Sequence, residues 1–249
     1  MRRSELEQEV LVSRGMLAFV GSVNAMRLTV SKAALEGVKD WLEFYYSWTG
    51  RRVVGFVEPE LIAAKLLADS FSYEKVDGIL QCKMALDLGS GNGWPGLALR
   101  FGVPDCEVAL LDSREGSCDF MRGFVSQQAL SGVRVIQARA EDVGNEPEFS
   151  EISDVLVSRA MAKPSVALEL ASPFVKIGGA VVLWLGPEQE DLVLKAPSVK
   201  ELGISLCDIQ RYWLPSGLGR RMLVVYRKVK RAEAGFPRRI SSIRKKPLF

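Results

Sequence analysis

Residues 86–96 read LDLGSGNGWPG, an apolar run that ends in an acid and continues into four glycines within eight positions. Glycine adopts positive φ without steric cost and leaves no Cβ between the backbone and a ligand, so this spacing predicts a tight turn that a small molecule can approach closely. Pro95 has the fixed φ that suits the first position of a helix. The stretch therefore predicts a strand, a glycine turn and a helix in succession.

Downstream of residue 82, short apolar runs alternate with amphipathic segments of helix length. The predicted strands are 83–88, 106–112, 133–138, 154–158, 180–185, 203–210 and 221–229, and the predicted helices are 95–102, 115–130, 164–175 and 188–195. This alternation is typical of a doubly wound α/β sheet. Ligands of such sheets bind beyond the carboxyl ends of the strands, where the glycine turn lies.

The first 80 residues have a helical period instead. SKAALEGVKDWLEFYYSW (31–48) places apolar side chains three and four residues apart after Ser31, a favoured helix N-cap. PELIAAKLLADSF (59–71) repeats this pattern more weakly after Pro59. We divide the chain into a helical N-terminal extension (1–80), a Rossmann-like domain (81–230) and a basic C-terminal tail (231–249).

The charge is unevenly distributed. Residues 220–249 contain eleven Lys or Arg against one acid, Glu233, a local charge of +10 in a chain whose net charge is +3. The preceding residues therefore carry −7. A basic tail on an acidic body indicates a polyanionic partner, although a tail that only promotes solubility has the same composition.

Several classes of site are disfavoured by composition. The chain has four cysteines, none in a C-x-x-C pair, and no histidine, so we expect no metal site. Without histidine, a Ser or Cys nucleophile lacks its usual base. The N-terminus is a poor signal peptide, and the longest apolar run, 177–186, is about half of the ~20 residues that span a membrane. We expect a cytoplasmic protein with no membrane partner.

Two cofactor interpretations of the glycine turn compete. From Gly91, GNGWPG matches the dinucleotide pattern G-x-G-x-x-G, and Asp112 follows 21 residues later at the next strand end. From Gly89, the pattern is D-x-G-x-G-x-G after Asp87, which is similar to the S-adenosylmethionine loop of Rossmann-like methyltransferases. A plain strand-to-helix turn is the third interpretation. A Walker phosphate loop is excluded because no G-K-[ST] follows.

The sequence beyond this loop resembles one family, the small-subunit ribosomal RNA guanine-N7 methyltransferase G, also called glucose-inhibited division protein B. The matching stretches are LDLGSGNGWPGLAL (86–99), LLDS (110–113), ARAEDV (138–143), SRAMA (158–162), FVKIGGAVVLWLG (174–186) and FPRRISSIRKKPL (236–248). The resemblance implies a class I S-adenosylmethionine-dependent fold with a seven-stranded sheet. It also implies methyl transfer to a guanine N7 of 16S ribosomal RNA, as naked RNA or in the small subunit.

Position by position, the resemblance implies a set of methyl-donor contacts. These are the strand-end acid and turn glycines Asp87, Gly89 and Gly91, then Trp94, Asp112 for the ribose, Ala140 and Glu141 beside the adenine, and Arg159. Purely structural roles compete at some of these positions. Trp94 suits a core, Arg159 suits an ion pair with Glu141 or Asp142, and the two acids suit a helix N-terminus.

No catalytic side chain is assigned, because guanine N7 attacks through a lone pair and loses no proton. For the RNA we name Arg221, Arg238, Arg239, Lys245 and Lys246, and we expect that deletion of 231–249 weakens RNA binding and leaves donor binding intact. The chain departs from the family's basic or histidine residues at Leu66, Gly116, Ser117 and Leu185. These departures keep open a non-catalytic RNA-binding or ribosome-assembly protein; a dehydrogenase is a distant third.

Overall fold

A computed structural model describes residues 4–249, in which eight strands form one sheet. The strands are β1 (Met84–Leu88), β2 (Glu107–Asp112), β3 (Val133–Gln137), β4 (Ser153–Arg159), β5 (Val175–Leu185), β6 (Ser198–Val199), β7 (Ile204–Trp213) and β8 (Arg220–Lys228). Their order is β3-β2-β1-β4-β5-β8-β7-β6. The first five in this order run parallel, and β8, β7 and β6 are antiparallel to their neighbours.

The predicted α/β sheet is confirmed, with one strand more than the seven expected. The additional strand, β6, has only two residues and pairs with the start of β7. A two-residue strand carries no periodic pattern, so the sequence does not reveal it. The order reverses between β1 and β4, which places a ligand crevice at their carboxyl ends.

The described helices alternate with the strands or precede them. They are α1 (Glu5–Ala25), α2 (Lys32–Ser47), α3 (Pro59–Ile62), α4 (Gly96–Gly102), α5 (Glu115–Gln127), α6 (Ala140–Val143), α7 (Pro164–Ala171), α8 (Glu190–Leu194) and α9 (Ile240–Lys245). A π-helical segment, Ala63–Ala68, continues α3. Ser31 caps α2 as predicted, since its hydroxyl accepts a hydrogen bond from the Ala34 amide at 3.1 Å.

Two boundaries differ from the sequence prediction more than the others do. Strand β5 begins at Val175 and not at residue 180, and its register against β4 shifts beside Gly178, whose φ is +86°. Helix α7 ends at Ala171 because Pro173 follows within a short 3-10 turn. Gly178 is a residue type that usually interrupts a strand, but here it lies within β5, where the pairing with β4 changes register.

The N-terminal extension packs against the glycine turn. Trp41 of α2 is fully buried, and its ring meets Trp94 and Phe120 edge to face at centroid distances of 5.8 Å. Its indole N–H donates to the carbonyl of Asn92 at 3.2 Å. The extension therefore packs directly against the turn, and the two share a hydrophobic core with the sheet.

The basic tail is folded back onto the sheet domain. Ile243 of α9 is fully buried and Pro237 is buried as well, both on the α7 side of the molecule. The guanidinium of Arg238 pairs with the buried carboxylate of Glu169 at 2.6 Å. Within residues 4–249, every helix is too short or too polar to cross a membrane.

Candidate active site

A cavity of about 810 Å³ opens at the carboxyl ends of β1, β2 and β4. Seven of the eight predicted donor-contacting residues line it: Gly89, Gly91, Trp94, Asp112, Ala140, Glu141 and Arg159. The eighth, Asp87, lies behind the glycine turn and not on the wall. Distant segments of the chain thus converge where the sequence places the ligand.

The glycine turn needs its glycines for two separate reasons. Gly89, Gly91 and Gly93 have φ values of +75°, +60° and +94°, a region that other residues enter at a cost of about 1–2 kcal/mol. A Cβ on Gly89 would also stand 2.5 Å from Cγ of Met161, a cavity-lining side chain. The turn therefore presents bare backbone to the cavity.

Asp112 ties the end of β2 to this turn. Its Oδ2 accepts a hydrogen bond from the Gly91 amide at 2.8 Å, and its Oδ1 accepts one from the Arg114 amide at 2.8 Å. The exposed guanidinium of Arg114 lies 3.3 Å from the same carboxylate. Because that side chain is exposed, its ion pair contributes little, and a hydrogen-bond donor on a ligand can replace it on the carboxylate at little cost.

Asp87 supports the turn from below. The carboxyl is fully buried, and its Oδ2 accepts a hydrogen bond from the Gly96 amide at 2.7 Å. Its Oδ1 has no hydrogen-bond partner among the described residues. Burial raises the pKa of Asp87 to about 7, so its ionised form is poorly stabilised in the free protein.

Trp94 serves both the core and the cavity. Its ring packs against Trp41, Phe71 and Phe101, and only 3% of the residue is exposed. It also lines the cavity, and its indole N–H is buried without a partner in the described chain. Trp94 is therefore part of the core, as the structural alternative predicts, and it also has a hydrogen-bond donor that no described residue uses.

Arg159 is held by the π-helical segment and not by the acids near residue 141. One guanidinium nitrogen, Nη1, donates to the carbonyl of Leu66 and to the hydroxyl of Ser70, each at 2.9 Å. It lies 3.7 Å from Asp69, whose other oxygen accepts from the Tyr212 hydroxyl at 2.6 Å. The expected alternative of an ion pair with Glu141 or Asp142 is therefore wrong.

These partners of Arg159 were missed by sequence reasoning. Burial lowers the pKa of the Arg159 guanidinium and raises that of the Asp69 carboxyl, while their attraction opposes both shifts. The one signal in the sequence was a D-S pair, Asp69 and Ser70, directly after an apolar run. Their pairing with Arg159 depends on the packing of the extension on the sheet.

Ala140 and Glu141 begin α6 at the far side of the cavity. Glu141 and Asp142 both lie in the first turn of this helix, where acids complement the helix dipole. Glu141 lies 3.7 Å from Arg139, another cavity-lining residue. The structure therefore places Glu141 both at a helix N-terminus and on the cavity wall.

Comparison with known proteins identifies the family. The family model described as rRNA small subunit methyltransferase G matches residues 39–204. A protein named "Ribosomal RNA small subunit methyltransferase G" from Carboxydothermus hydrogenoformans is 39% identical over 165 residues, which are 66% of this chain and 70% of that protein. The chain belongs to this family. A relative of the same name from Desulforamulus reducens is 31% identical over 91% of this chain and 100% of its own.

The site has features that fit S-adenosylmethionine, the methyl donor of this methyltransferase family. The glycine cradle would be filled by added Cβ atoms, and a strand-end carboxylate, Asp112, faces the cavity. Two buried polar atoms, Oδ1 of Asp87 and Nε1 of Trp94, lack partners among residues 4–249. Among the same residues, no group of three or more Cys, Asp or Glu side chains is placed to hold a metal ion.

The four departures from the family pattern all lie off the described cavity wall. Leu66, Ser117 and Leu185 are buried, at 5%, 5% and 6% exposure. A Cβ on Gly116 would stand 3.0 Å from Cδ of Arg51, so an arginine from the loop after α2 packs over this glycine. The contact between position 66 and Arg159 is made by a backbone carbonyl, which leucine retains.

The tail also forms part of the cavity, which the sequence did not predict. Ile240, Arg244 and Pro247 line it, together with Lys163, Val166 and Leu170 of the segment that leads into and forms α7. Deletion of 231–249 would remove this part of the wall, so the structure predicts weaker donor binding, in contrast to the expectation from sequence that donor binding stays intact. The basic composition of the tail does not indicate that it packs against the sheet domain.

The predicted RNA-binding residues differ in their surroundings. Arg239, Lys245 and Lys246 are exposed, and Arg221 is half-buried on β8. The guanidinium of Arg238 instead donates hydrogen bonds to the Glu169 carboxylate, at 2.8 and 2.6 Å, and to the Lys246 carbonyl, at 3.0 Å. Arg238 thus anchors the tail, and the exposed residues remain the candidates for RNA contact.

Proposed function

We propose that this chain transfers a methyl group from S-adenosylmethionine to N7 of a guanine in 16S ribosomal RNA. The observation that carries the proposal is the cavity built on the glycine turn, Asp112 and Arg159, in a member of the rRNA small subunit methyltransferase G family. Its volume, about 810 Å³, lies in the upper part of the ~300–1,000 Å³ range of small-molecule sites.

The donor is assigned to the wall residues, and to Asp87 behind the turn, as follows. The backbone at Gly89 and Gly91 faces its amino-acid part, the buried carboxyl of Asp87 attracts the ammonium of that part from behind the turn, and Asp112 accepts its ribose hydroxyls. Ala140 and Glu141 contact the adenine. Trp94 and Arg159 complete the wall, and the unpartnered Trp94 N–H supports a ligand contact there.

The chemistry needs no proton transfer before attack. When bound, the donor supplies an electrophilic methyl group on a sulfonium, and guanine N7 has a free in-plane lone pair. The chain has no histidine, which suits a reaction that requires no general base. Its residues act by orientation and by excluding water, which can lower a barrier by about 7–11 kcal/mol.

The RNA is bound by cations outside the donor contacts. We assign phosphate contacts to Arg221, Arg239, Lys245 and Lys246, while Arg238 contributes by fixing the tail. We propose 16S ribosomal RNA or the small subunit as the substrate and the cytoplasm as the location of the reaction. The rival function, RNA binding without turnover, loses support because the four departures lie off the described cavity wall.

Calorimetric titration tests the proposal against its rivals. The expected result is saturable binding of S-adenosylmethionine at one site and no binding of a nicotinamide dinucleotide. Binding of the dinucleotide alone would support a dehydrogenase and refute the proposal. Binding of neither, with RNA still bound, would support the non-catalytic function.

A further inference from the structure

The cavity has more positive charge than its own acids neutralise. Five basic residues line it against two acids, Asp112 and Glu141; the basic residues are Arg114, Arg139, Arg159, Lys163 and Arg244. Arg114 pairs with Asp112, Arg139 pairs with Glu141, and Arg159 pairs with Asp69 behind the wall. Two cations are left over.

Those two cations, Lys163 and Arg244, belong to neighbouring segments, since α9 packs against α7. Lys163 directly precedes α7, Arg244 lies on α9, and both are exposed. Among residues 4–249, neither side chain has a hydrogen-bond or ion-pair partner. Arg244 is nonetheless well positioned, because its neighbour Ile243 is fully buried and Arg238 is clamped to Glu169.

The donor does not account for this charge. S-adenosylmethionine has an ammonium and a sulfonium against one carboxylate, so it is a net cation and two free cations beside it are unfavourable. A polyanion is the better match, since an arginine guanidinium binds phosphate oxygens in pairs and lysine binds them as a point charge. The surplus charge therefore belongs to the second substrate.

We propose that Lys163 and Arg244 bind a backbone phosphate of the RNA beside the target nucleotide. The tail then forms one wall of the active site and binds the RNA backbone next to the reacting nucleotide. Lys245 and Lys246 make further phosphate contacts outside the cavity. This inference rests on the proposed function, because it assumes that the second substrate is RNA.

The test compares Arg244→Gln and Lys163→Gln with Arg134→Gln, a control that removes an exposed cation outside the cavity wall. Affinity for a 16S ribosomal RNA transcript is measured by filter binding at several salt concentrations, and donor affinity by calorimetry. We expect each cavity variant to weaken RNA binding about tenfold and to reduce the salt slope by about 0.7–0.9. Donor affinity should not fall in either cavity variant, and the control should keep the wild-type affinity for RNA and for the donor.

Two results would overturn the inference. Unchanged RNA affinity with weakened donor binding would assign Arg244 to the donor carboxylate. Loss of both affinities in Arg244→Gln, with Lys163→Gln unaffected, would mean that Arg244 only holds the tail in place. Because RNA affinity is measured without turnover, a chain that binds RNA through these residues and transfers no methyl group refutes the proposed function alone.

Discussion

Gly89 offers the cleanest single-residue test of the cavity, because the chain contains a matched control. Gly89 has φ +75° and would place a Cβ 2.5 Å from Cγ of Met161, whereas Gly78 has φ +77° and nothing within 4 Å of its Cβ position. Both Gly→Ala variants should lose about 1–2 kcal/mol of unfolding free energy through backbone strain. Only Gly89→Ala should lose donor affinity, by tenfold or more.

Chemical denaturation and calorimetry on the two variants measure these effects. Equal donor affinity in Gly89→Ala and wild type would show that the donor does not lie against the turn. A much larger loss of stability in Gly78→Ala than in Gly89→Ala would contradict the packing around Met161.

We expect Asp87 to make donor binding depend on pH. Its pKa is raised to about 7 by burial, so below that pH the free protein carries the protonated carboxyl. A donor ammonium that interacts with Asp87 binds the ionised form, and binding must then release a proton. Donor affinity should rise about tenfold per pH unit between about pH 5 and 7 and level off above. Asp87→Asn, measured by calorimetry, should show weak affinity without this slope.

A pH profile of wild type that is flat over the same window would remove Asp87 from the donor site. The same profile in Asp87→Asn as in wild type would assign the dependence to another group. Either result leaves the role of Asp87 as a hydrogen-bond acceptor for Gly96 intact.

At the residue scale, the site residues that could be predicted are those whose position follows from a local sequence pattern. The glycines and Asp112 lie at strand ends, and parallel strands bring their carboxyl ends together. Lys163, Leu170 and Arg244 were not predictable, because their place on the wall depends on how the tail packs against α7. The partners of Arg159 were missed for the same reason, since they come from the N-terminal extension.

At the scale of elements, the tail is fixed by one buried ion pair. Glu169 of α7 is fully buried and accepts from the Arg238 amide at 2.9 Å as well as from its guanidinium. Breaking a buried pair leaves a poorly solvated partner, and because Arg238 is partly exposed we expect a loss of about 2 kcal/mol for Glu169→Gln. The tail should become sensitive to protease, and donor affinity should fall because the wall opens.

Glu60→Gln is the control for this variant, since the Arg14–Glu60 pair at 2.9 Å is about half-exposed on both sides. It should change the unfolding free energy by less than about 1 kcal/mol. Limited proteolysis with mass spectrometry locates the cut. A tail in Glu169→Gln that stays as resistant as in wild type would contradict the anchoring role of the ion pair.

Most strands and several helices could be predicted from the sequence. The structure confirms five parallel strands and the helices α2, α4 and α5, although β5 begins earlier and α5 ends earlier than the sequence predicts. The short elements β6 and α9 were missed, because two and six residues are too few to show a period against their neighbours. α9 forms mainly through its docking, with Ile243 as the buried contact.

At the scale of the whole molecule, the charge asymmetry has a structural meaning that composition alone does not reveal. The basic tail is folded against the sheet domain, and its Arg244 borders the cavity, whereas Arg239, Lys245 and Lys246 are exposed and do not line the cavity. On our proposal, an RNA that binds the outer cations lies next to the opening of the cavity. Electrostatic attraction would then help to place the target base at the site.

The central claim is methyl transfer to guanine N7. Its most direct test incubates the purified chain with methyl-labelled S-adenosylmethionine and small ribosomal subunits from a strain that lacks the modification, and maps the label by strand cleavage at N7-methylguanine. Gly89→Ala serves as the control for transfer that depends on the cavity. We predict label at N7 of a single guanine of 16S ribosomal RNA with wild type and little with the control. Absence of label despite confirmed donor binding, or label on another atom, would contradict the account.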